Sequence, residues 1–421
     1  MSLPGPEDIY RYELDNGIVL LVRENHASPS VVISGHLAVG SLDESPEQAG
    51  LAAITASALS RGTTHRTFDQ VYEEIESVGA SFGVSAGVHH TTFGGKSLAE
   101  DLPRLLDVAA DVLRHPTFPA QEVYKLRGEI LTDLEERDHN TRRMAALAFY
   151  ELAYPPEHPY SRSVSGYTET VSRFTRDDLA DFYAGGYGPQ GMVLVVVGAI
   201  EASAARDQVE TVLGNWTGQT YDRDPLPPAP PPAEAHRVLV PIPGKSQSDI
   251  WLGNPGPRRS DPGFIPAAVC NTILGVFGMM GRLGDTVRNE QGLAYYAYSR
   301  VRGGLGPGPW SVIAGVDPAN VERAVDSIHA EIRRIRQEPV PPEELADSQT
   351  FLIGSLPLHL ETNEGVARTI RDIERHDLGL DYIQQYADMI QAVTADHVQA
   401  VAQQWLDPDR YNLAVAGPSV E

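Results

Sequence analysis

A single cysteine, Cys270, stands in 421 residues, so no disulfide forms within the chain and no thiolate cluster exists to hold structural zinc or an iron–sulfur centre. Basic side chains are also scarce. Lys and Arg number 33 against 57 Asp and Glu, a formal charge of −24. Nucleic-acid binding depends largely on cationic side chains displacing phosphate counterions, and this balance disfavours it. Basic peptides suit such a surface better. No apolar run reaches the roughly 18 residues of a membrane helix, and the opening MSLPGPEDIYRYELDNGIVL lacks a basic start followed by an apolar stretch. The expectation is a protein without a membrane span, cytoplasmic, or periplasmic if a signal segment has been removed. What is abundant is hydrophobic side chain, 42% of the residues, in a length that calls for two or more domains.

Several catalytic signatures are missing. The only Gly-Lys-Ser, Gly244 to Ser246, has Leu239 where a P-loop needs its first glycine, and no Gly-x-Ser-x-Gly elbow occurs. None of the 13 histidines stands four residues from another, so neither H-E-x-x-H nor H-x-x-E-H is present. His89 and His90 are adjacent, and on a strand they would face opposite ways, one packed and one solvated. The run Glu135, Glu136, Asp138, His139 reads as a solvated helix end, and the glycine-rich Arg302 to Trp310 as a plain or substrate-gating loop.

What is present is a duplication. TRDDLADFYAGGYGPQGMVLVVVG, Thr175 to Gly198, matches TADHVQAVAQQWLDPDRYNLAVAG, Thr394 to Gly417, residue for residue at a constant offset of 219. Each reads as a threonine-capped helix, a turn, and a strand ending in glycine. Upstream, DVLRHPTFPAQEVYKLRGEIL resembles RRIRQEPVPPEELADSQTFL, with Pro119 matching Pro341. A period of about 220 is far beyond solenoid repeats and means duplicated domains. The proline-dense DPLPPAPPPAEA, Asp224 to Ala235, reads as a stiff linker between residues 1–223 and 236–421.

Within the first half, Tyr10 to Leu14 and Ile18 to Glu24 flank Asn16-Gly17, a hairpin signal. A strand is expected at Val31 to Val39 and an alanine-rich helix at Gln48 to Arg61. Thr67 and Gln70 form a capping box for a helix through Val78, and strands lie near Ser81 to Phe93. Helices follow at Leu98 to Arg114, Ala120 to Arg137 and Arg142 to Leu152. These elements predict a mixed sheet with helices packed on it.

With these residues in view, the chain resembles the inverted-zincin peptidases, the family of pitrilysin, insulin-degrading enzyme and the mitochondrial processing peptidases. VGSLDESPEQAGLAAITASALSRGT, Val39 to Thr63, is similar to the segment carrying the family's H-x-x-E-H helix. By that resemblance the zinc-binding histidines fall at Ala53 and Ser57, the water-activating glutamate at Ala56, and the last ligand at Asp133. One short carboxylate cannot hold a catalytic zinc, which wants three protein ligands and a water. MMGRLGDTVRNEQGLAYYAYS, Met279 to Ser299, resembles the C-terminal segment with an arginine and, seven residues on, a tyrosine: Arg288 and Tyr295, with Arg282 and Tyr296 as neighbours in a shifted register. AGVDPANVERAV, Ala314 to Val325, also looks like the family.

The resemblance implies an α+β fold of two duplicated domains, each a mixed, mainly antiparallel sheet packed with helices. It also implies a division of labour. In two-chain members one subunit carries the zinc and the other the Arg/Tyr pair, and this chain resembles the second kind. The expectation is a subunit inactive alone and binding no cofactor, which supplies Arg288 and Tyr295 to a homologous zinc-bearing partner and encloses peptide substrates with it, and which can pair with itself in isolation. The alternatives are a noncatalytic scaffold or peptide-binding protein of the same fold, and an autonomous zinc peptidase with relocated ligands.

Overall fold

The computed structural model describes residues 3–276 and 281–418. It consists of two compact units, each assembled from pieces of both sequence halves. The first comprises Met1–Leu134, Ser163–Pro225 and Pro357–Gln384; the second comprises Glu135–Arg162, Leu226–Leu356 and Gln385–Glu421. The crossing at Pro225 and Leu226 lies in the proline-dense segment, but two helical segments leave their own half, which a simple division at that segment does not anticipate.

In the first unit the strands are β1 (Tyr10–Glu13), β2 (Val19–Glu24), β3 (Ser30–Leu37), β4 (Ser81–Ala86), β5 (Thr91–Leu98) and β6 (Val193–Gly198), ordered β1-β2-β6-β3-β5-β4. β1 and β2 pair as the Asn16-Gly17 hairpin, with Gly17 at a φ of 85° that suits the turn. Only β2 and β6 run parallel; the remaining neighbours are antiparallel. The second unit repeats this wiring with β7 (His236–Pro241), β8 (Ser248–Pro255), β9 (Ala294–Val301), β10 (Pro309–Val316) and β11 (Asn412–Gly417), ordered β7-β11-β8-β10-β9. Again one pair, β7 and β11, is parallel. The sequence repeats end as β6 and β11, the inner members of the two parallel pairs. Their helices, Arg176–Gly186 and Ala395–Trp405, begin at Thr175 and Thr394, whose hydroxyls accept from the amides three residues on.

The central strands of each sheet are buried on both faces. In β6, Leu194 and Val196 point into the large core of the first unit, while Val193, Val195 and Val197 join Val366, Ala367 and Ile370. Those last three belong to the helix Asn363–Arg375, which lies across β3 and β6. The helix Thr141–Ala153 lies across β8 and β11 in the same way, bringing Phe149 to a ring distance of 5.6 Å from Trp251. Both helices have 13 residues and occupy corresponding places in the repeat, beginning after Asn140 and Thr362, whose side chains cap them. Strands buried on both faces read as continuous apolar runs, which is why VLVVVG carries no period-two signal.

Ile370 is fully buried between its helix and the valines of β6. Ile370→Ala is expected to destabilise the first unit by about 2–5 kcal/mol, read as a lower urea midpoint; a loss below about 1 kcal/mol would contradict this packing.

Candidate functional site

The helix aligned with the zinc motif is Leu51–Ala58, continued by a 3-10 turn to Arg61. Its start is built with care. Gly50 adopts a φ of 99°, and Glu44, 5% exposed, accepts the amides of Gly50 (2.9 Å) and Ala52 (2.8 Å). A carboxylate on free helix-start amides stabilises the helix end. The motif positions themselves offer almost nothing to a metal. Ala56 is buried, Ala53 is half-buried, and the Ser57 hydroxyl donates to the Ala53 carbonyl at 3.0 Å. Asp133 lies exposed on the helix Ala120–Asp138. One carboxylate and one hydroxyl are not a catalytic zinc set, so the family's metal does not fit these residues.

In the second unit, Met279 and Met280 of the Arg/Tyr segment lie outside the described residues. Beyond them Gly284–Glu290 forms a π-helical segment, with Val287 fully buried beneath it. Gly292, at a φ of 61°, turns the chain into β9 at the edge of the sheet. Pairing with β10 then slips. Gly315 stands opposite Tyr296 and Val316 opposite Ala294, leaving Tyr295 as an extra, bulged residue. Bulges and π-segments both re-aim side chains and are over-represented at functional sites. Tyr295 is 62% exposed and Arg288 half-buried, and among the described residues no hydrogen bond, ion pair or ring contact engages either side chain.

The shifted-register neighbours are tied down. Arg282, buried, makes a bidentate ion pair with Glu344 at 2.8 and 2.7 Å. Tyr296 donates to Asp249, which is fully buried and also receives Thr141 Oγ1 at 2.5 Å and Gln247 Nε2 at 3.1 Å. Burial and the hydrogen bond to Asp249 raise the Tyr296 phenol above its ordinary range, and the Arg142 guanidinium stacks over its ring at 4.9 Å. A buried carboxylate must find donors, and this network, which gave no sequence signal because its members come from distant positions, consumes Tyr296 as one of them.

The remaining expectations fall as follows. Of Arg302 to Trp310, residues 302–308 form the β9–β10 hairpin connection and Pro309 and Trp310 open β10; the connection is pinned by the Tyr154 hydroxyl to the Pro307 carbonyl (2.8 Å) and by the Gly306 amide to the Tyr160 hydroxyl (3.1 Å). Glu135, Glu136, Asp138 and His139 are exposed at a helix end. Cys270 is buried, which pushes its thiol up out of reactive range. His89 and His90 depart from expectation. Both sit in the turn between β4 and β5, not on a strand, and both are 8% exposed. Arg223 holds that turn by donating to the His89 carbonyl at 2.9 Å while pairing with Asp43. His90 packs edge-on against His36 of β3, ring centroids 4.3 Å apart, and the Nδ1 atoms of both are buried without a hydrogen-bond partner among the described residues.

Two family models match the chain in series. Residues 19–164 match the family described as insulinase (peptidase family M16), and residues 173–352 match the peptidase M16 inactive domain. An uncharacterized zinc protease of Bacillus subtilis (strain 168) is 24% identical over 98% of both chains. Subunit 1 of the mitochondrial cytochrome b-c1 complex of Bos taurus is 26% identical over 62% of this chain and 54% of that one. A crystal structure from Pseudomonas fluorescens, described as a peptidase M16 inactive domain, superposes with a TM-score of 0.87 over 98% of each chain at 24% identity. No helix among the described residues is long and apolar enough to cross a membrane.

The histidine pair sets a pH dependence. Burial first, then the nearby Arg375 and Arg371, hold His36 down to about 3, and burial with His36 lowers His90 as well. Unfolded imidazoles take protons from about pH 6.5 downward, so in that range the unfolded chain binds more protons than the folded one. Stability is therefore full above pH 6.5 and falls as the pH drops toward 3. Between pH 7 and 4.5 the urea midpoint of His36→Gln is expected to fall less steeply than that of the parent chain; parallel slopes would contradict the assignment.

Proposed function

Because the chain belongs to the insulinase, or M16, family of peptidases, we propose that it is the subunit of a heterodimeric metallopeptidase that binds no zinc at the family's catalytic helix, and that it lends Arg288 and Tyr295 to a homologous partner carrying the catalytic zinc. One contrast carries this reading. The helix that should hold zinc has no ligand set, whereas Arg288 and Tyr295 are held by a π-segment and a bulge with no partner among the described residues. A guanidinium and a phenol without partners can donate to a peptide carbonyl whose oxygen gains charge as water attacks, and neither needs a metal of its own for this. Tyr295 lies on β9, an edge strand, so a peptide could add alongside it through main-chain hydrogen bonds. The charge of −24 favours basic segments among such peptides.

The likeness to a cytochrome b-c1 subunit favours a second reading, a scaffold of the same fold without turnover. The two separate on mutation. With the zinc-bearing homologue present, Arg288→Ala and Tyr295→Phe should each lower peptide cleavage by roughly 10²- to 10³-fold, the usual loss of one oxyanion donor, with the complex still formed. Wild-type rates in both variants would sink the proposal and leave the scaffold.

A further inference from the structure

A different set of ligand-type side chains converges at the C-terminal end of the helix Leu102–Arg114 in the first unit, and no residue aligned with the zinc motif takes part. Asp111 and His115 stand four apart, on one face of the last turn. His65 comes from the segment between Arg61 and Thr67. The backbone holds that segment against the helix end: the Thr64 amide donates to the His115 carbonyl at 3.0 Å, and Thr63 bridges to Pro116. The ligand positions are therefore fixed by main chain and not by exposed side chains alone.

The geometry is that of a metal site in waiting. Asp111 Oδ1 lies 2.7 Å from His65 Nδ1 and 3.3 Å from His115 Nδ1, and the two imidazole rings stand 5.3 Å apart. Zinc bonds of about 2.0–2.1 Å in a tetrahedron place ligand atoms about 3.3 Å from one another, so one edge already has its length. Asp111 Oδ2 is engaged separately, receiving Thr63 Oγ1 at 2.6 Å and Arg66 at 2.8 Å, which orients the carboxylate and leaves Oδ1 for the ion. The His115 Nδ1 atom is buried and has no hydrogen-bond partner among the described residues, although it faces Oδ1. Two imidazoles thus compete for one oxygen, and an ion among the three atoms would satisfy all of them.

The surroundings suit a cation. A cavity of about 540 Å³ opens beside the cluster, where Glu74, Asp107 and Asp111 outnumber Arg66 and Arg114. Arg66 is spent on all three carboxylates, at 3.0, 2.6 and 2.8 Å. The His65 side chain is 63% exposed, so solvent reaches the remaining coordination position.

We propose that His65, Asp111 and His115 bind one zinc ion through Nδ1, Oδ1 and Nδ1, with water as the fourth ligand, and that the ion clips the 62–67 segment to the helix end. The site is independent of the role proposed for Arg288 and Tyr295. Two imidazoles and a carboxylate are a common zinc set, and their residues come from parts of the chain that share no motif.

The full-length chain, stripped with a chelator and dialysed, is titrated with zinc chloride by calorimetry, and with cobalt(II) to read the intense visible band of a tetrahedral site. One equivalent should bind, and His65→Ala, an exposed position that leaves the fold's core untouched, should weaken it by more than the roughly 10- to 100-fold typical of losing an outer-shell partner. The double variant Ser57→Ala, Asp133→Ala should bind as the parent does. Absence of binding, or parental affinity in both His65→Ala and His115→Ala, overturns the site and leaves the partner-subunit reading standing. Loss of the ion only in the Ser57, Asp133 variant overturns both, because it places zinc on the helix Leu51–Ala58.

Discussion

The contact on which the first sheet depends is made by a helix from the opposite end of the sequence. Val193, Val195 and Val197 present an apolar face that Asn363–Arg375 covers with Val366, Ala367 and Ile370. Without that helix a central strand would face water on one side, at about 25 cal/mol for each Å² of apolar surface left uncovered. The second sheet meets the same demand with Thr141–Ala153, the corresponding helix of the first sequence half. Duplication alone would have produced two self-sufficient halves. Exchange of the covering helices makes each unit incomplete without the other half of the chain, and it keeps the two edge strands, β4 and β9, in matching places.

That frame explains how a zinc helix can lose its ligands without losing its place. The helix Leu51–Ala58 is anchored at its start by Glu44 and packed along its length by Leu51, Ala52, Ile54 and Ala58. None of these contacts uses the positions where metal ligands would stand. Replacing histidines by Ala53 and Ser57 therefore costs the fold little, and the helix persists as a packing element. The Arg/Tyr segment has the opposite character. A π-segment and a bulge are departures from the cheapest backbone geometry, and here they aim two side chains that stabilise nothing else among the described residues. Tyr296, one residue on, shows the alternative: it is drawn into the Asp249 network and raised out of titration range.

Much of this was legible in the sequence, for identifiable reasons. Thr175 and Thr394 announce helix starts because a hydroxyl on free amides is a local interaction, and Asn16-Gly17 announces a hairpin because its φ requirement is local too. The helix exchange left no trace, since an amphipathic face says that it must be covered but not by which sheet. The bulge at Tyr295 depends on pairing with Val316 and is invisible in one strand alone. His89 and His90 misled because a strand was assumed where the chain turns. His65, Asp111 and His115 were missed for a related reason: two ligands share a helical spacing, but the third is brought in by a backbone bridge between Thr63 and Pro116. Spacing rules detect motifs on one element and not sites assembled by tertiary contact.

The central claim is that this chain has no catalytic zinc of its own and completes the site of another. Metal content alone does not decide it, because a zinc on His65, Asp111 and His115 would be counted without any chemistry attached. Turnover decides it. The measurement is hydrolysis of a mixed peptide pool by the zinc-saturated chain alone, and then with one equivalent of a homologue bearing H-x-x-E-H. The account predicts no cleavage above the buffer blank for the chain alone and chelator-sensitive cleavage once the homologue is added, faster than the homologue achieves by itself. Chelator-sensitive cleavage by the chain alone, at a rate the homologue does not improve, would contradict it.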